Sequence, residues 1–190
     1  MKRIAIFASG SGSNAEHITR FFEHSELAQV TLILCNNAQA GVIERARKLH
    51  VPFYLFGRKE LYETGEVVSR LQEANIDLVV LAGFLWLVPE DLVKAYENRI
   101  INIHPALLPG LGGKGMYGMK VHEAVIRNKL ASSGITIHYV NNKFDEGEII
   151  FKAECAVEPG DTAESLAAKI HELEYYHYAR TIEKLLQEKS

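Results

Sequence analysis

Two polar residues interrupt an apolar stretch in the middle of the chain, and their types are suited to catalysis. In Ile101-Asn102-Ile103-His104-Pro105, Asn102 and His104 alternate with isoleucines. Successive strand side chains point to opposite faces, so both polar side chains leave the same face, at the carboxyl end of a predicted strand. An amide donor beside a titratable imidazole can stabilise negative charge that develops on a substrate oxygen. We therefore expect this pair to be catalytic.

An acidic residue further along the chain completes this candidate site. The segment Lys143-Phe144-Asp145-Glu146-Gly147 connects two predicted strands. A carboxylate at this place would orient the imidazole of His104 and raise its pKa. Asp145 and Glu146 both fit that role from their positions in the chain.

A glycine-rich turn after the first predicted strand has the chemistry of an anion site. Gly10-Ser11-Gly12-Ser13-Asn14-Ala15 fits the loose pattern G-x-G-x-x-A, in which backbone N–H groups and the following helix hold a phosphate. A dinucleotide site also requires an acid near the end of the second strand, where this chain has Cys35-Asn36-Asn37. The pattern favours a single phosphate over a nicotinamide cofactor. A tight turn capped by Asn14 is the purely structural alternative.

Patterns typical of metal sites and of nucleophilic catalysis are weak in this sequence. His171 and His177 lie six residues apart on one predicted helix and therefore point in different directions, and there is no H-E-x-x-H or C-x-x-C pair. No serine lies in a G-x-S-x-G frame, which argues against a serine hydrolase. We expect no metal, and we expect Cys35 and Cys155 to be free thiols in a reducing cytoplasm.

The elements that must position these residues alternate between apolar strands and amphipathic helices. This alternation predicts an α/β fold with a Rossmann-like, mostly parallel sheet and helices on both faces. The later strands 135–140 and 148–157 are joined by a short connection, so they form antiparallel strands at the C-terminal end. We expect residues 59–74 to form one long helix. Residues 110–118, which include five glycines, are expected to form a mobile loop.

Composition indicates a globular protein and excludes several classes. The chain has 190 residues, a net charge of -3 and a pI near 6.2, so it carries no electrostatic signature for nucleic acid. No apolar run approaches the roughly 18 residues of a membrane span. We expect a single domain over residues 1–190, a monomer or homodimer that works in the cytoplasm without nucleic acid or membrane partners.

Several motifs, in this order, resemble those of one enzyme family. They are Ser9-Gly10-Ser11-Gly12-Ser13-Asn14, Leu81-Ala82-Gly83-Phe84, Asn102-Ile103-His104-Pro105-Ala106-Leu107-Leu108-Pro109, Gly134-Ile135-Thr136-Ile137-His138-Tyr139-Val140 and Asp145-Glu146-Gly147. The chain closely resembles the folate-dependent glycinamide ribonucleotide formyltransferases of purine synthesis. The resemblance implies a formyltransferase fold, with 10-formyltetrahydrofolate as formyl donor and glycinamide ribonucleotide as acceptor. Relatives that act on tRNA or hydrolyse the folate carry an extra domain, for which we expect this chain to have no room.

The resemblance also implies roles for individual residues. Asn102, His104 and Asp145 match the catalytic trio. The positions that match ribonucleotide contacts are Gly12, Ser13, Asn14 and Glu174. The positions that match folate contacts are Lys59, Leu85, Trp86, Leu87, Val88, Asn102 and Val140. Trp86 stands where the family commonly has arginine, and the loop 110–118 is longer than usual, so we assign that loop only the role of a lid.

Overall fold

The computed structural model describes residues 1–188, which form a seven-stranded sheet and seven helices. The strands are β1 (Lys2–Ala8), β2 (Ala28–Cys35), β3 (Phe53–Leu55), β4 (Leu78–Leu81), β5 (Ile100–His104), β6 (Ser132–Tyr139) and β7 (Ile149–Ala156). The helices are α1 (Ser13–Phe21), α2 (Gly41–Lys48), α3 (Arg58–Tyr62), α4 (Glu66–Glu73), α5 (Glu90–Ala95), α6 (Met119–Arg127) and α7 (Ala163–Glu188). Within residues 1–188, no helix is both long enough and apolar enough to cross a membrane.

The sheet is mostly parallel, with antiparallel strands at one side. Its strand order is β3-β2-β1-β4-β5-β6-β7. The first five of these strands pair in parallel, whereas β6 is antiparallel to β5 and β7 is antiparallel to β6. The predicted fold class is confirmed. The carboxyl ends of β1, β4 and β5 therefore lie side by side at one edge, which is where ligands bind in such sheets.

Helices cover both faces of the sheet and bury two apolar cores that share the central strand. In β1, Ile4 and Ile6 join the core that contains residues of α1, α2, α6 and α7. The alternate residues Ala5 and Phe7 join the core that contains residues of α3, α4 and α5. Strands buried on both faces read as continuous apolar runs, and this explains the patterning of β1 and β4.

One predicted helix is divided in two. Residues 59–74 were expected to be a single helix, but α3 ends at Tyr62 and α4 begins at Glu66. Gly65 lies between them with a φ of 68°, a left-handed conformation that ends a helical path and that glycine adopts without steric cost. The break lets α3 and α4 pack separately through Leu61 and Leu71.

The segment 140–148, between β6 and β7, turns back over the sheet. Because β6 is antiparallel to β5, this segment leaves the sheet beside the first residue of β5, where the Val140 N–H donates to the Ile100 carbonyl over 3.0 Å. Asp145 nevertheless contacts the other end of β5, and its φ of 55° is part of the reversal. The fold-back carries the carboxylate to the edge where the parallel strands end.

Candidate active site

A cavity of about 780 Å³ opens at the edge where β1, β4 and β5 end. It crosses the sheet edge, with α7 and the turn before α1 on the side of the first core and the aromatic segment after β4 on the other. The predicted site residues that line it are Gly12, Ser13, Asn14, Leu85, Trp86, Leu87, Asn102, His104, Asp145 and Glu174.

Asn102 is oriented by a histidine on the neighbouring strand. Asn102 and His138 are directly paired between β5 and β6. The His138 Nδ1–H donates to the carbonyl of Tyr139 over 2.8 Å, and the His138 Nε2 lies 3.2 Å from Asn102 Nδ2 and 3.6 Å from Asp145 Oδ1. The second hydrogen of Nδ2 points toward Asp145 Oδ1 over a long 3.5 Å. That hydrogen is available to a substrate oxygen.

His104 and Asp145 are the two titratable members of the trio. The His104 Nδ1 lies 3.5 Å from Asp145 Oδ2, and His104 is only 3% exposed. Glu146, the alternative acid, instead pairs with Lys143 at the surface over 3.1 Å. The structure thus brings Asp145, and not Glu146, to the imidazole.

The pKa of His104 lies below its ordinary value, which corrects the expectation that Asp145 raises it overall. Burial is the largest cause, because a charged imidazole loses hydration in the interior. Asp145 and the carbonyl of Leu111 act in the opposite direction but do not outweigh burial.

Asp145 stays ionised despite its partial burial. Burial works against its charge, but the hydrogen bond with His138, the proximity of His104 and the Gly113 N–H together hold its pKa below the usual range.

Among residues 1–188, no cluster of three or more His, Cys, Asp or Glu has the arrangement of a metal site.

The glycine-rich loop 110–118 contacts two members of the trio through its backbone. His104 Nε2 donates to the Leu111 carbonyl over 2.6 Å, because a carbonyl only accepts. The Gly113 N–H donates to Asp145 Oδ2 over 2.9 Å. The backbone of the loop thus occupies one polar atom of His104 and one of Asp145.

Asn14 and Glu174 lie together on the α1–α7 side of the cavity. The Asn14 Nδ2 donates to Glu174 Oε2 over 2.9 Å, and Asn14 Oδ1 is buried without a partner. Burial raises the pKa of Glu174 to about 7, although the Asn14 hydrogen bond lowers it. This carboxyl therefore exchanges a proton near neutral pH, and the free amide oxygen can accept a hydrogen bond from a ligand.

The segment after β4 forms an aromatic side of the cavity. The guanidinium of Arg58 lies 4.8 Å from the ring centre of Trp86, and Tyr62 lies against the same ring. Two backbone groups of residues 85–87 are hydrogen-bonded to side chains. The Leu85 N–H donates to Ser9 Oγ at 3.1 Å, and the Tyr62 Oη–H donates to the Leu87 carbonyl at 2.9 Å. The other backbone groups of residues 85–87 are the ones a ligand could read.

Three of the predicted folate positions do not line the cavity. Lys59 is exposed on α3, one residue beyond Arg58, which does line it. Val88 is a core residue, only 3% exposed. Val140 packs against the second core. Arg58, and not Lys59, is thus the basic side chain of α3 that lines the cavity, since a shift of one residue along a helix turns a side chain by about 100°.

Several residues near the site had not been singled out for a role. His138 orients Asn102, and His122 lines the cavity with its Nδ1 buried and without a partner. Thr136 supports the turn after β5, because its hydroxyl donates to the Ala106 carbonyl over 2.7 Å. The sequence contains a signal for Thr136 and His138, because they alternate with isoleucines as Asn102 and His104 do.

Comparison with known proteins decides the family. A sequence profile of the formyl transferase family matches residues 2–182, nearly the whole chain. The chain belongs to the formyl transferase family. Members of this family with known structures share the fold throughout. Phosphoribosylglycinamide formyltransferase from Bacillus halodurans is 39% identical, with a TM-score of 0.88 over 100% of this chain and 97% of that chain.

Curated members of the family are similar over almost the whole chain. Phosphoribosylglycinamide formyltransferase of Bacillus subtilis is 39% identical over 98% of this chain and 95% of its own length. The chloroplastic enzymes of the same name from Vigna unguiculata and Arabidopsis thaliana are 39% and 37% identical over 99% of this chain. The chain spans 62% and 66% of the length of these two plant relatives.

Proposed function

We propose that this protein transfers the formyl group of 10-formyltetrahydrofolate to the amine of glycinamide ribonucleotide in de novo purine biosynthesis. The products are formylglycinamide ribonucleotide and tetrahydrofolate. The observation that carries the proposal is the convergence of Asn102, His104 and Asp145 on one cavity, between a phosphate-type turn and an aromatic side. The names of the relatives, which are phosphoribosylglycinamide formyltransferases, support formyl transfer to this acceptor.

In this proposal the ribonucleotide lies on the α1–α7 side of the cavity. Its phosphate binds the backbone N–H groups of Gly12, Ser13 and Asn14, where the first turn of α1 leaves donors without partners inside the helix. Glu174 accepts from the glycinamide end, and its raised pKa of about 7 suits an amine that must lose its proton near neutral pH.

The folate lies on the aromatic side. Its pterin is read by backbone groups of Leu85, Trp86 and Leu87, while Arg58 offers a positive charge over the face of the Trp86 ring. All four residues line the cavity, which supports this placement.

The catalytic residues stabilise charge and move protons. The folate supplies the formyl carbon, which forms a bond to the attacking amine nitrogen and loses its bond to N10. Asn102 Nδ2–H and His104 Nε2–H donate to the formyl oxygen as it gains negative charge. The attacking nitrogen gives up two protons as the ammonium becomes an amide N–H. One passes through a water molecule to Asp145 and on to solvent, and the other protonates N10 of the departing tetrahydrofolate, so charges balance. The fixed orientation of the two substrates contributes further.

A steady-state assay with each substrate omitted in turn tests the proposal. The folate absorbance should change only when both 10-formyltetrahydrofolate and glycinamide ribonucleotide are present. If the folate is consumed at the same rate without the ribonucleotide, with release of formate, the protein is a hydrolase and the proposal is wrong.

The proposal includes the setting in which the protein acts. We infer a single domain over residues 1–190, and the two cores that share β1 support this. We also infer a cytoplasmic monomer or homodimer without a nucleic-acid partner. The unpaired thiols of Cys35 and Cys155 and the net charge of -3 support these assignments.

A further inference from the structure

The turn that precedes α1 is held from behind by α2, on the side away from the cavity. The Val42 N–H donates to the Gly10 carbonyl over 3.1 Å, and the Arg45 Nε–H donates to the Ser11 carbonyl over 2.9 Å. Arg45 does not line the cavity of the catalytic trio; it borders a smaller depression behind the turn. Both carbonyls therefore point outward, toward α2.

This arrangement determines where the neighbouring N–H groups point. In a trans peptide, the carbonyl of one residue and the N–H of the next point in opposite directions. A Gly10 carbonyl that faces α2 turns the Ser11 N–H away from α2, and a Ser11 carbonyl that faces Arg45 turns the Gly12 N–H away from it. These residues line the cavity on their other side. The two bonds thus aim two backbone donors at the place proposed for the phosphate.

Arg45 is itself held by the first turn of α1. Its Nη1 pairs with Glu16 Oε2, and Glu16 also accepts two hydrogen bonds from Arg20, at 2.9 and 3.0 Å. These contacts hold the pKa of Glu16 below its usual range, so the acid is charged at neutral pH. The planar guanidinium can bond in two directions at once, which lets one side chain join the turn to the helix.

The turn before α1 packs closely against the first turn of α2. Gly12 has a φ of 77°, and a Cβ placed on it would lie 2.5 Å from the side chain of Val42. A Cβ on Gly41 would lie 3.2 Å from the Ser11 carbonyl. The first turn of α2 therefore lies directly against residues 11 and 12, and small changes in it move the N–H groups.

We propose that Arg45 is a positioning residue for the ribonucleotide phosphate: it holds the Ser11 carbonyl outward so that the Gly12 N–H faces the phosphate, without touching the ligand. This inference rests on the proposed function, because the phosphate belongs to glycinamide ribonucleotide. It predicts a defect that is specific to the phosphate group, since the folate side and the catalytic trio lie elsewhere in the cavity.

The test compares Arg45→Met with Arg47→Met, which removes the same charge from the same helix. Arg47 lies over the ring of Phe53 and has no contact with the turn among the described contacts. Arg45→Met should raise the KM for glycinamide ribonucleotide about tenfold, the value of one hydrogen bond that involves a charged group. The kcat, the KM for 10-formyltetrahydrofolate and all constants of Arg47→Met should stay within about twofold of wild type.

Two further measurements separate positioning from other effects. With glycinamide riboside, which lacks the phosphate, Arg45→Met and wild type should have the same kcat/KM; an equal loss with both substrates would show a merely structural defect and overturn the inference. Arg45→Lys keeps the charge but loses the planar guanidinium that bonds in two directions, so its KM for glycinamide ribonucleotide should remain raised. Full recovery with lysine would show that charge alone matters, and would also overturn it.

The outcomes remain distinguishable from a failure of the proposed function. If the wild-type protein does not formylate glycinamide ribonucleotide, the proposed function fails before any variant is compared. If it does, but Arg45→Met behaves as Arg47→Met does, only the role of Arg45 is wrong. Glu16→Gln removes the ion pair that holds Arg45 against α1 and should show the same phosphate-specific defect. This variant tests the role of Arg45 where Arg45→Met does not fold.

Discussion

Asn102, His104 and Asp145 meet through long contacts, and their short hydrogen bonds go to other groups. His104 donates to the Leu111 carbonyl at 2.6 Å, whereas its distance to Asp145 is 3.5 Å. Catalytic hydrogen bonds of this kind often tighten only when the substrates are bound. The trio is thus held near its working positions by groups that a substrate can replace.

The role of Asn102 as a donor to the formyl oxygen is testable by truncation. Asn102→Ala should lower kcat by roughly 10²–10³-fold and leave both KM values nearly unchanged, because the donor acts only as charge develops on the oxygen. Steady-state kinetics with each substrate varied in turn is the measurement. A rise in KM with an unchanged kcat would make Asn102 a binding residue.

The protonation of His104 is testable by NMR titration of its ring. Because burial lowers its pKa, the midpoint should lie below the ordinary value of 6.5. Asp145→Asn removes a contribution that raises the pKa and should move the midpoint lower still, together with a fall in kcat. Glu146→Gln, which changes only a surface acid paired with Lys143, should leave the midpoint in place. A wild-type midpoint above 6.5 would restore the charged imidazole that the sequence predicts.

Glu174 should make the stability of the fold depend on pH. Below pH 4.5 its carboxyl is protonated whether the chain is folded or unfolded, but between 4.5 and about 7 it ionises only in the unfolded chain. The free energy of unfolding should therefore fall across this range, by at most about 3 kcal/mol. Glu174→Gln removes that loss, so urea unfolding at pH 5 and pH 8 should show a smaller difference for the variant. Equal differences for both proteins would contradict the buried, neutral carboxyl.

At the scale of elements, the sequence predicts those features that depend on periodicity. The alternation in β5 placed Asn102 and His104 on one face, and the continuous apolar run identified β4 as a buried parallel strand. Periodicity could not decide between Asp145 and Glu146, and only the family resemblance selected Asp145, because the choice depends on how the segment 140–148 folds back over the sheet. Periodicity carries no information about the path of such a segment.

Three other features also lay beyond the sequence for physical reasons. The break at Gly65 depends on a left-handed backbone conformation, which a glycine inside an amphipathic pattern permits but does not require. The choice of Arg58 over Lys59 depends on where α3 begins, since one residue changes the direction of a side chain by about 100°. The net pKa of His104 depends on burial, which only the packed structure reveals.

The turn between β1 and α1 allows a matched test of backbone geometry. Gly12→Ala requires a left-handed alanine whose Cβ would lie 2.5 Å from Val42, so it should lower the free energy of unfolding by about 1–3 kcal/mol. A Cβ on Gly10 meets nothing within 4 Å, so Gly10→Ala should change it by less than about 0.5 kcal/mol. Urea unfolding of both variants is the measurement, and equal effects would contradict the close packing of α2 on the turn.

At the scale of the whole molecule, the cavity lies where the two cores meet the edge of the sheet. The turn before α1 and the helix α7 belong to one face, and Trp86 with its aromatic neighbours belongs to the other. The strands β5 and β6 cross between them and carry Asn102, His104 and His138. This architecture suits a reaction that joins two different ligands, because each has its own side and the catalytic residues lie between.

The loop 110–118 extends across this arrangement and contacts the trio from the open side. In the proposed mechanism His104 Nε2–H donates to the formyl oxygen, so the loop must release this N–H from the Leu111 carbonyl when the substrates bind.

The central claim is that one formyl carbon passes from a folate on one side of the cavity to an amine on the other. It is tested most directly by 13C NMR with 10-formyltetrahydrofolate labelled at the formyl carbon, mixed with the protein and glycinamide ribonucleotide. The label should appear as the formamide carbon of formylglycinamide ribonucleotide only when the ribonucleotide is present, and Asn102→Ala should slow its appearance. Label that accumulates as free formate, at a rate independent of the ribonucleotide, would contradict it.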